Sequence, residues 1–138
     1  MNEKLCKFYL ARHDETAPSL TGQHTGRADL ALTKRDECNA RNLRQRLSGL
    51  TFAKVFTSPR FAACGRVSWP ASELDVLFFS SRHFLRFLAV RWIGELVAIG
   101  RYFPLNTATL SALSYAHNPS QLMIQSWNDD HHHCLPMR

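Results

Sequence analysis

The stretch Tyr9-Leu10-Ala11-Arg12-His13-Asp14-Glu15-Thr16 decides both the fold and the candidate site. The apolar run before Arg12 predicts a buried strand, and the Arg-His pair follows where that strand should end. Open α/β sheets bind ligands at the carboxyl ends of their strands. Arginine offers a planar donor fork for a phosphate, and histidine can act near neutral pH as base, acid or nucleophile. The stretch therefore predicts a phosphoryl-transfer pair on an α/β sheet.

The composition predicts one domain over residues 1–138. The 45% of hydrophobic residues can supply a core, and no apolar run reaches the roughly 18 residues that span a membrane. The charged start of the chain is not followed by the apolar segment of a secretory signal, so we expect a cytoplasmic protein without a membrane partner. The four cysteines are scattered and form no CxxC pair, which predicts free thiols in a reducing compartment.

The charge predicts anionic ligands. The net charge of +6 favours phosphorylated metabolites, nucleic acids or acidic surfaces. The basic residues are spread along the chain and do not form a dense stripe, which argues against a nucleic-acid partner.

The first half of the chain predicts a strand, a helix and a second strand. Residues 5–11 predict the buried strand, and the glycine-punctuated residues 17–27 predict a loop. Thr33 is a suitable helix N-cap, and apolar residues at helical spacing after it predict an amphipathic helix that ends near Ser48-Gly49. Residues 52–57 predict the next strand, so the unit is βαβ.

The second half predicts a third strand, a second helix and a hairpin. Residues 74–79 form an apolar run typical of a buried strand, and a helix is predicted from Arg82 to about Ile93. Two β-prone runs on either side of a polar turn at residues 117–120 predict a C-terminal β-hairpin. Residues 128–138 predict a flexible polar tail, and the adjacent histidines at positions 131–133 make a poor metal site because they point in different directions.

Three segments carry a resemblance to a known family. They read Leu10-Ala11-Arg12-His13-Asp14-Glu15-Thr16, Leu20-Thr21-Gly22-Gln23-His24-Thr25-Gly26 and Val55-Phe56-Thr57-Ser58-Pro59-Arg60. They resemble the histidine phosphatase (phosphoglycerate mutase-like) superfamily, in particular its bacterial phosphatases. Residues 79–92 and 105–129 resemble the later strand, helix and closing hairpin of that family. The resemblance implies a three-layer α/β/α fold with a mostly parallel sheet, here shortened in the middle.

The resemblance also implies phosphomonoester hydrolysis without a metal or cofactor. His13 matches the nucleophile that forms a phosphohistidine, and Arg12 matches the first phosphate-binding arginine. Thr25 and Gly26 match the loop that touches the substrate, and Ser19 matches a polar phosphate contact of some members. The implied ligand is a phosphorylated small molecule or a phosphate ion.

Several positions depart from the family pattern. Asp14 stands where the family has glycine, and Ala62 stands where it has the second phosphate-binding arginine. Ser81 and Arg82 replace the histidine and glycine of its Ser-His-Gly motif. The stretch between the second and third strands is short and lacks the usual acid catalyst. Loss of one transition-state donor costs about 10²- to 10³-fold in rate, so these departures predict impaired activity.

Arg60, Arg82 and His83 are candidate replacements for the lost phosphate ligands. Arg82 should lie at the start of a helix, where backbone amides already favour anions. With Arg12 and Arg60 it would form a rebuilt phosphate pocket. The alternative is that Arg82 points to solvent and His83 is a partly buried helix residue.

Two functions from different classes remain open at this point. The chain is either an impaired phosphomonoesterase that acts through His13 or an inactive pseudoenzyme. The pseudoenzyme would keep the fold and at most bind phosphate or a protein partner. A shortened core would also leave sheet faces uncovered, which predicts association as a homodimer.

Overall fold

The described part of the chain, residues 4–12, 34–57 and 75–133 of a computed structural model, forms a five-stranded sheet with helices. The strands are β1 (Phe8–Arg12), β2 (Phe52–Thr57), β3 (Asp75–Ser80), β4 (Leu110–Tyr115) and β5 (Leu122–Asp129). Their order in the sheet is β2-β3-β1-β4-β5. β3 runs parallel to both β1 and β2, whereas β4 runs antiparallel to both β1 and β5. The predicted hairpin is confirmed, and among the described strands β4 alone runs against the direction of the others.

Two α-helices and one 3-10 helix accompany the sheet. They are α1 (Lys34–Leu47), α2 (Arg82–Trp92) and the 3-10 helix η1 (Val97–Tyr102). The first turn of α1 carries two acidic residues and its last turn two arginines, which complements the helix dipole. After α2, Gly94 has φ +80°, a left-handed conformation that glycine adopts without steric cost. The bounds of both α-helices agree with the predicted ones to within a residue or two.

The alternation of side chains along β1 and β3 produces a three-layer arrangement. In β1, Phe8 and Leu10 belong to the core beneath α2, and Ala11 belongs to the core beneath α1. In β3, Val76 packs on the α2 side and Leu77 on the α1 side. Because successive strand residues face opposite sides, one near-continuous apolar run serves both layers. The predicted α/β/α fold is confirmed.

An indole hydrogen bond ties α2 to the hairpin. The Nε1 atom of Trp92 donates to the carbonyl oxygens of Ser114 and Met123, at 3.3 Å and 3.2 Å. The ring also lies against Phe8, with the two centroids 4.8 Å apart. The last turn of α2 is therefore held to β1, β4 and β5 together.

The cysteines differ from the expected set of free thiols. Cys6 is free and buried. Cys38, in α1, is disulfide-bonded, and its partner lies outside the described ranges. The expectation of a free thiol is therefore wrong at Cys38. Since disulfides persist in oxidising compartments, the predicted reducing environment loses its support from the cysteines.

The segment that follows β5 is held against α1 up to residue 133. Asp129 accepts a hydrogen bond from Arg46 Nη2 at 2.5 Å, and Asn42 Nδ2 donates to the carbonyl oxygen of His132 at 2.8 Å. The sequence-based interpretation of a frayed tail from residue 128 does not describe these contacts. Positions 134–138 lie outside the described residues.

The Arg46–Asp129 pair gives the fold a pH dependence. The Arg46 guanidinium holds the pKa of the Asp129 carboxyl far below its usual range. A depressed pKa in the folded state means that the pair stabilises the fold above the unfolded-state pKa of about 3.9. That contribution is lost as the pH falls below this value.

Replacement of Arg46 by methionine is expected to lower the free energy of unfolding by about 1–3 kcal/mol at pH 7. The difference in free energy of unfolding between Arg46→Met and the unmodified chain should be about 1 kcal/mol smaller at about pH 3 than at pH 7. Urea unfolding at the two pH values measures this change. Arg41→Met is the matched control, because Arg41 lies on the same helix and pairs with Glu37 at 3.8 Å on the exposed surface. An equal loss in both variants, or a loss independent of pH, would contradict the assigned role of the pair.

None of the helices in the described ranges has the length and apolar character needed to cross a membrane.

Candidate active site

The candidate site lies at the carboxyl edge of the parallel strands. β1 ends at Arg12 and β3 ends at Ser80, and these two residues are partners in the parallel pairing. Alternation along the strands places both side chains on the face that α2 covers, together with Leu10 and Phe78. The sheet therefore brings an arginine and a serine side by side at the edge where ligands bind in such folds.

Arg12 is held by the loop that precedes β4. Its Nη1 atom donates to the carbonyl oxygen of Leu105, and its backbone amide donates to the carbonyl oxygen of Thr109 at 3.2 Å. The bond to Leu105 fixes the orientation of the Arg12 guanidinium at the end of β1. Arg12 lies within β1, one residue beyond the predicted strand end.

The Ser80 side chain was not identified from the sequence as a site residue. It is 1% exposed, and its Oγ atom has no hydrogen-bond partner among the described residues. A buried hydroxyl without a partner costs about 1–3 kcal/mol, and such groups occur at functional sites. Ser80 stands at the serine position of the Ser-His-Gly motif whose histidine and glycine are replaced by Ser81 and Arg82. The pairing of β3 with β1 is what places it beside Arg12.

The N-terminus of α2 adjoins Ser80 directly. Ser81 is the N-cap residue and is half-buried, and its side chain makes no capping hydrogen bond. The first turn contains no acidic residue. A helix start presents amides that have no acceptor within the helix, and its dipole favours an anion there. This end of α2 is therefore suited to hold a negatively charged group beside Arg12.

Arg82 and His83 occupy the first turn of α2 and are both exposed. This exposure agrees with the alternative in which Arg82 points to solvent. It contradicts the description of His83 as partly buried. Arg82 nevertheless belongs to the same helix start that adjoins Ser80.

The loop that carries the Leu105 carbonyl is well braced. The backbone amide of Asn106 donates to Asn128 Oδ1 at 2.7 Å, and Thr109 Oγ1 donates to the carbonyl oxygen of Asn106 at 2.7 Å. Ala108 and Asn128 both have positive φ, 53° and 57°. Such a conformation costs roughly 1–2 kcal/mol for a residue with a Cβ atom. Two strained residues thus lie beside the support of Arg12.

Histidines of the tail reach the same loop. The Nε2 atoms of His132 and His133 lie 2.5 Å and 2.8 Å from the carbonyl oxygen of Ala108. Arg46 can only donate, so its contact of 3.1 Å makes His132 Nδ1 an acceptor and leaves the proton on Nε2. Burial lowers the pKa of His132, which agrees with a neutral ring. Among the described residues, no group of three His, Cys, Asp or Glu side chains is arranged to hold a metal ion.

Five of the predicted site residues lie outside the described ranges. Of the others, the structure brings Arg12 together with the α2 start that carries Arg82, and it adds Ser80 and Ser81 to them. The residues outside the description are His13, Ser19, Thr25, Gly26 and Arg60.

Three solved structures illustrate the similarity of the fold. The product of the open reading frame Rv3214 from Mycobacterium tuberculosis has a TM-score of 0.75 at 19% identity, over 91% of this chain and 98% of that one. A putative alpha-ribazole-5'-P phosphatase from Escherichia coli has a TM-score of 0.71 at 17% identity, over 91% and 97%. A phosphoserine phosphatase mutant from Entamoeba histolytica, solved with phosphoserine, has a TM-score of 0.73 at 13% identity, over 92% and 98%.

The fold and the site define an α/β protein in which an arginine, a buried serine and a helix N-terminus lie together at the carboxyl ends of parallel strands. Residues 8–64 match the family profile of the histidine phosphatase superfamily, branch 1. The matched residues contain β1, α1 and β2. No curated protein sequence matches the chain.

Proposed function

We propose that the chain is a phosphomonoester hydrolase of low activity that works through a phosphohistidine at His13. The observation that carries the proposal is the place of Arg12 at the end of β1, beside Ser80 and the start of α2. His13 follows Arg12 directly in the chain, and the family match covers both residues.

The proposed reaction has two steps. A neutral imidazole nitrogen of His13 forms a bond to phosphorus while the bond from phosphorus to the leaving oxygen breaks. An alkoxide leaving oxygen takes a proton from solvent water. A water molecule then attacks phosphorus as the bond from phosphorus to nitrogen breaks, which releases inorganic phosphate and the free imidazole. Negative charge on the transferring group must be balanced by fixed donors, which is the proposed role of Arg12 and the α2 amides.

By family resemblance we assign Ser19, Thr25 and Gly26 to contacts with the substrate. We assign Arg60 and Arg82, which the family pattern does not supply, to a rebuilt cationic pocket that replaces the lost ligands. The substrate class is a phosphorylated small molecule. His83 is exposed in the first turn of α2 and keeps only a peripheral place in this proposal.

An inactive pseudoenzyme that binds phosphate or a protein partner is the second candidate. The observation that favours it is Ser81, which occupies the N-cap of α2 where the family has its second histidine. A hydroxyl there cannot supply the charge of an imidazolium to the transferring group. Asp14 beside His13 would add a repulsive charge to the same pocket.

The cytoplasmic location and the homodimer remain predictions. Light scattering on the purified protein measures the oligomeric state directly.

The test of the proposed function is hydrolysis of p-nitrophenyl phosphate at acid and neutral pH. This aryl ester suits a site without an identified acid catalyst, because its leaving group departs without protonation. We expect slow turnover that His13→Ala reduces by about 10³-fold or more, to the background rate. His131→Ala is the matched control, since its exposed ring lies in the tail and bonds to Asp129.

Turnover that survives His13→Ala would contradict the phosphohistidine route. No turnover in the unmodified chain, with orthovanadate still bound, would favour the phosphate-binding pseudoenzyme. Loss of vanadate binding in Arg12→Ala would then assign that binding to the same edge of the sheet.

A further inference from the structure

A cavity lies at the opposite end of β1 from Arg12. It has a volume of about 670 Å³ and is lined by the segment that leads into β1 and by both arms of the β4–β5 hairpin. Lys7 directly precedes Phe8, the first residue of β1, and Arg12 is the last residue of that strand. With a rise of about 3.3 Å per residue, the two basic positions are roughly 16 Å apart along the strand. The cavity is therefore separate from the candidate active site.

The described lining of this cavity is basic. Lys4, Lys7 and His117 contribute to it, and none of its described lining residues is acidic. The ion pairs among the described residues involve Arg41, Arg46 and His131 and leave both lysines without a carboxylate partner. The nearby Asp75 carboxylate is buried and accepts the backbone amide of Lys7 at 3.0 Å. Unneutralised ammonium groups around a concave surface attract anions.

One wall of the cavity is preformed. It is the hairpin turn, where Asn118 Oδ1 accepts hydrogen bonds from the amide of Ser120, at 3.0 Å, and from its hydroxyl. The amide of Ala116 donates to the carbonyl oxygen of Gln121 at 2.8 Å. Because these bonds lie within the turn itself, binding there would require little further ordering of the turn.

Beside the polar side chains of Ser114, Asn118 and Gln125, the lining has an apolar part that could contact more than a simple ion. Leu5, Tyr115, Pro119 and Met123 lie along it. Ligand cavities of about 300–1,000 Å³ usually combine an apolar wall with a few well-placed polar groups. The volume is sufficient for a nucleoside monophosphate, whose ring would lie on the apolar wall while the lysines contact its phosphate.

We propose that this cavity binds a phosphorylated small molecule with an apolar or planar part, at a site distinct from that of Arg12. The lysines at positions 4 and 7 and the ring of His117 contact the phosphate, and Tyr115 and Met123 contact the apolar part. Lysine acts here as a flexible point charge, which suits a phosphate held at an open cavity.

The experiment is a calorimetric titration with AMP, in the His13→Ala background so that the probe is not hydrolysed. We expect Lys4→Ala with Lys7→Ala to weaken AMP binding by about tenfold or more. The matched control is Lys54→Ala with Arg91→Ala, which removes the same charge from exposed positions on β2 and α2. Arg12→Ala, at the other edge of the sheet, should leave AMP affinity unchanged at this site.

Pyrophosphate serves as a second probe that has the charge without the ring. AMP should bind several-fold more tightly than pyrophosphate if the apolar wall contributes. Equal affinity of the two probes would overturn the assignment of the apolar wall. Absence of AMP binding up to about 5 mM would overturn the proposed site. An equal loss of AMP affinity in the Lys4→Ala with Lys7→Ala variant and in its Lys54→Ala with Arg91→Ala control would also overturn it. So would a loss of AMP affinity that occurs in Arg12→Ala and not in the Lys4→Ala with Lys7→Ala variant.

Discussion

Replacement of Ser81 by histidine is expected to raise the rate of aryl phosphate hydrolysis by about 10²-fold. The substitution puts an imidazole at the N-cap of α2, next to Ser80 and one strand away from Arg12. An imidazolium there would donate to a phosphoryl oxygen at the moment when charge develops. Because the Ser81 side chain makes no capping hydrogen bond, its loss should cost the helix little.

Two controls make this prediction specific. Ser48→His adds a histidine after the end of α1, where the serine hydroxyl donates only to the carbonyl oxygen of Gln45, and should leave the rate unchanged. The combination of Ser81→His with His13→Ala should be inactive, since the added group assists a nucleophile that is no longer present. Orthovanadate affinity should rise with the rate in Ser81→His, and further when Ala62→Arg is added. An unchanged rate and affinity would mean that position 81 does not face the bound phosphoryl group.

Truncation of Phe78 to alanine is expected to lower the free energy of unfolding by about 3–5 kcal/mol. The ring is fully buried in β3 on the α2 side of the sheet. It stacks on Phe56 of β2 with the centroids 4.9 Å apart, and Phe84 of α2 lies 6.4 Å away. Its removal leaves a cavity where β2, β3 and α2 meet, and the surrounding backbone can fill only part of it.

Urea unfolding followed by circular dichroism measures this effect. Val55→Ala is the matched control, because that side chain is 54% exposed on the neighbouring strand, and its change should stay within about 0.5 kcal/mol. If Phe78→Ala does not fold, Phe78→Leu should show a smaller loss of about 1–3 kcal/mol. A loss for Phe78→Leu no greater than that for Val55→Ala would contradict the central position of this ring.

The positions of the strands and helices were predicted well, because each is determined mainly by residues that are close together in the sequence. The apolar run of β3 places hydrophobic residues on both faces of the strand, which is typical of a central strand of a sheet. The hairpin follows from two β-prone runs around a polar turn. The order of strands was less accessible, since β3 lies between β1 and β2 although it follows both in the chain.

The parts of the site that the sequence did not predict depend on distant partners. Arg12 bonds to the carbonyl of Leu105, 93 positions away, and His132 contacts the carbonyl of Ala108. A backbone carbonyl is present at every position, so no residue type marks either acceptor. The Ser-His-Gly alignment could have marked Ser80 as a site residue, but its pairing with Arg12 arises only when the sheet forms. In contrast, the motif around Arg12 and His13 could be recognised from its residue types alone.

The antiparallel direction of β4 has a consequence for how this protein could diversify. β4 begins where the parallel strands end, so the segment of residues 103–109 that precedes it adjoins the site, and its Leu105 carbonyl orients the Arg12 guanidinium. An insertion or deletion in this segment would change how the Arg12 side chain is oriented, while the register of β1, β2 and β3 would stay the same. Evolution or design could therefore alter ligand preference through this one short segment while the inherited scaffold stays constant.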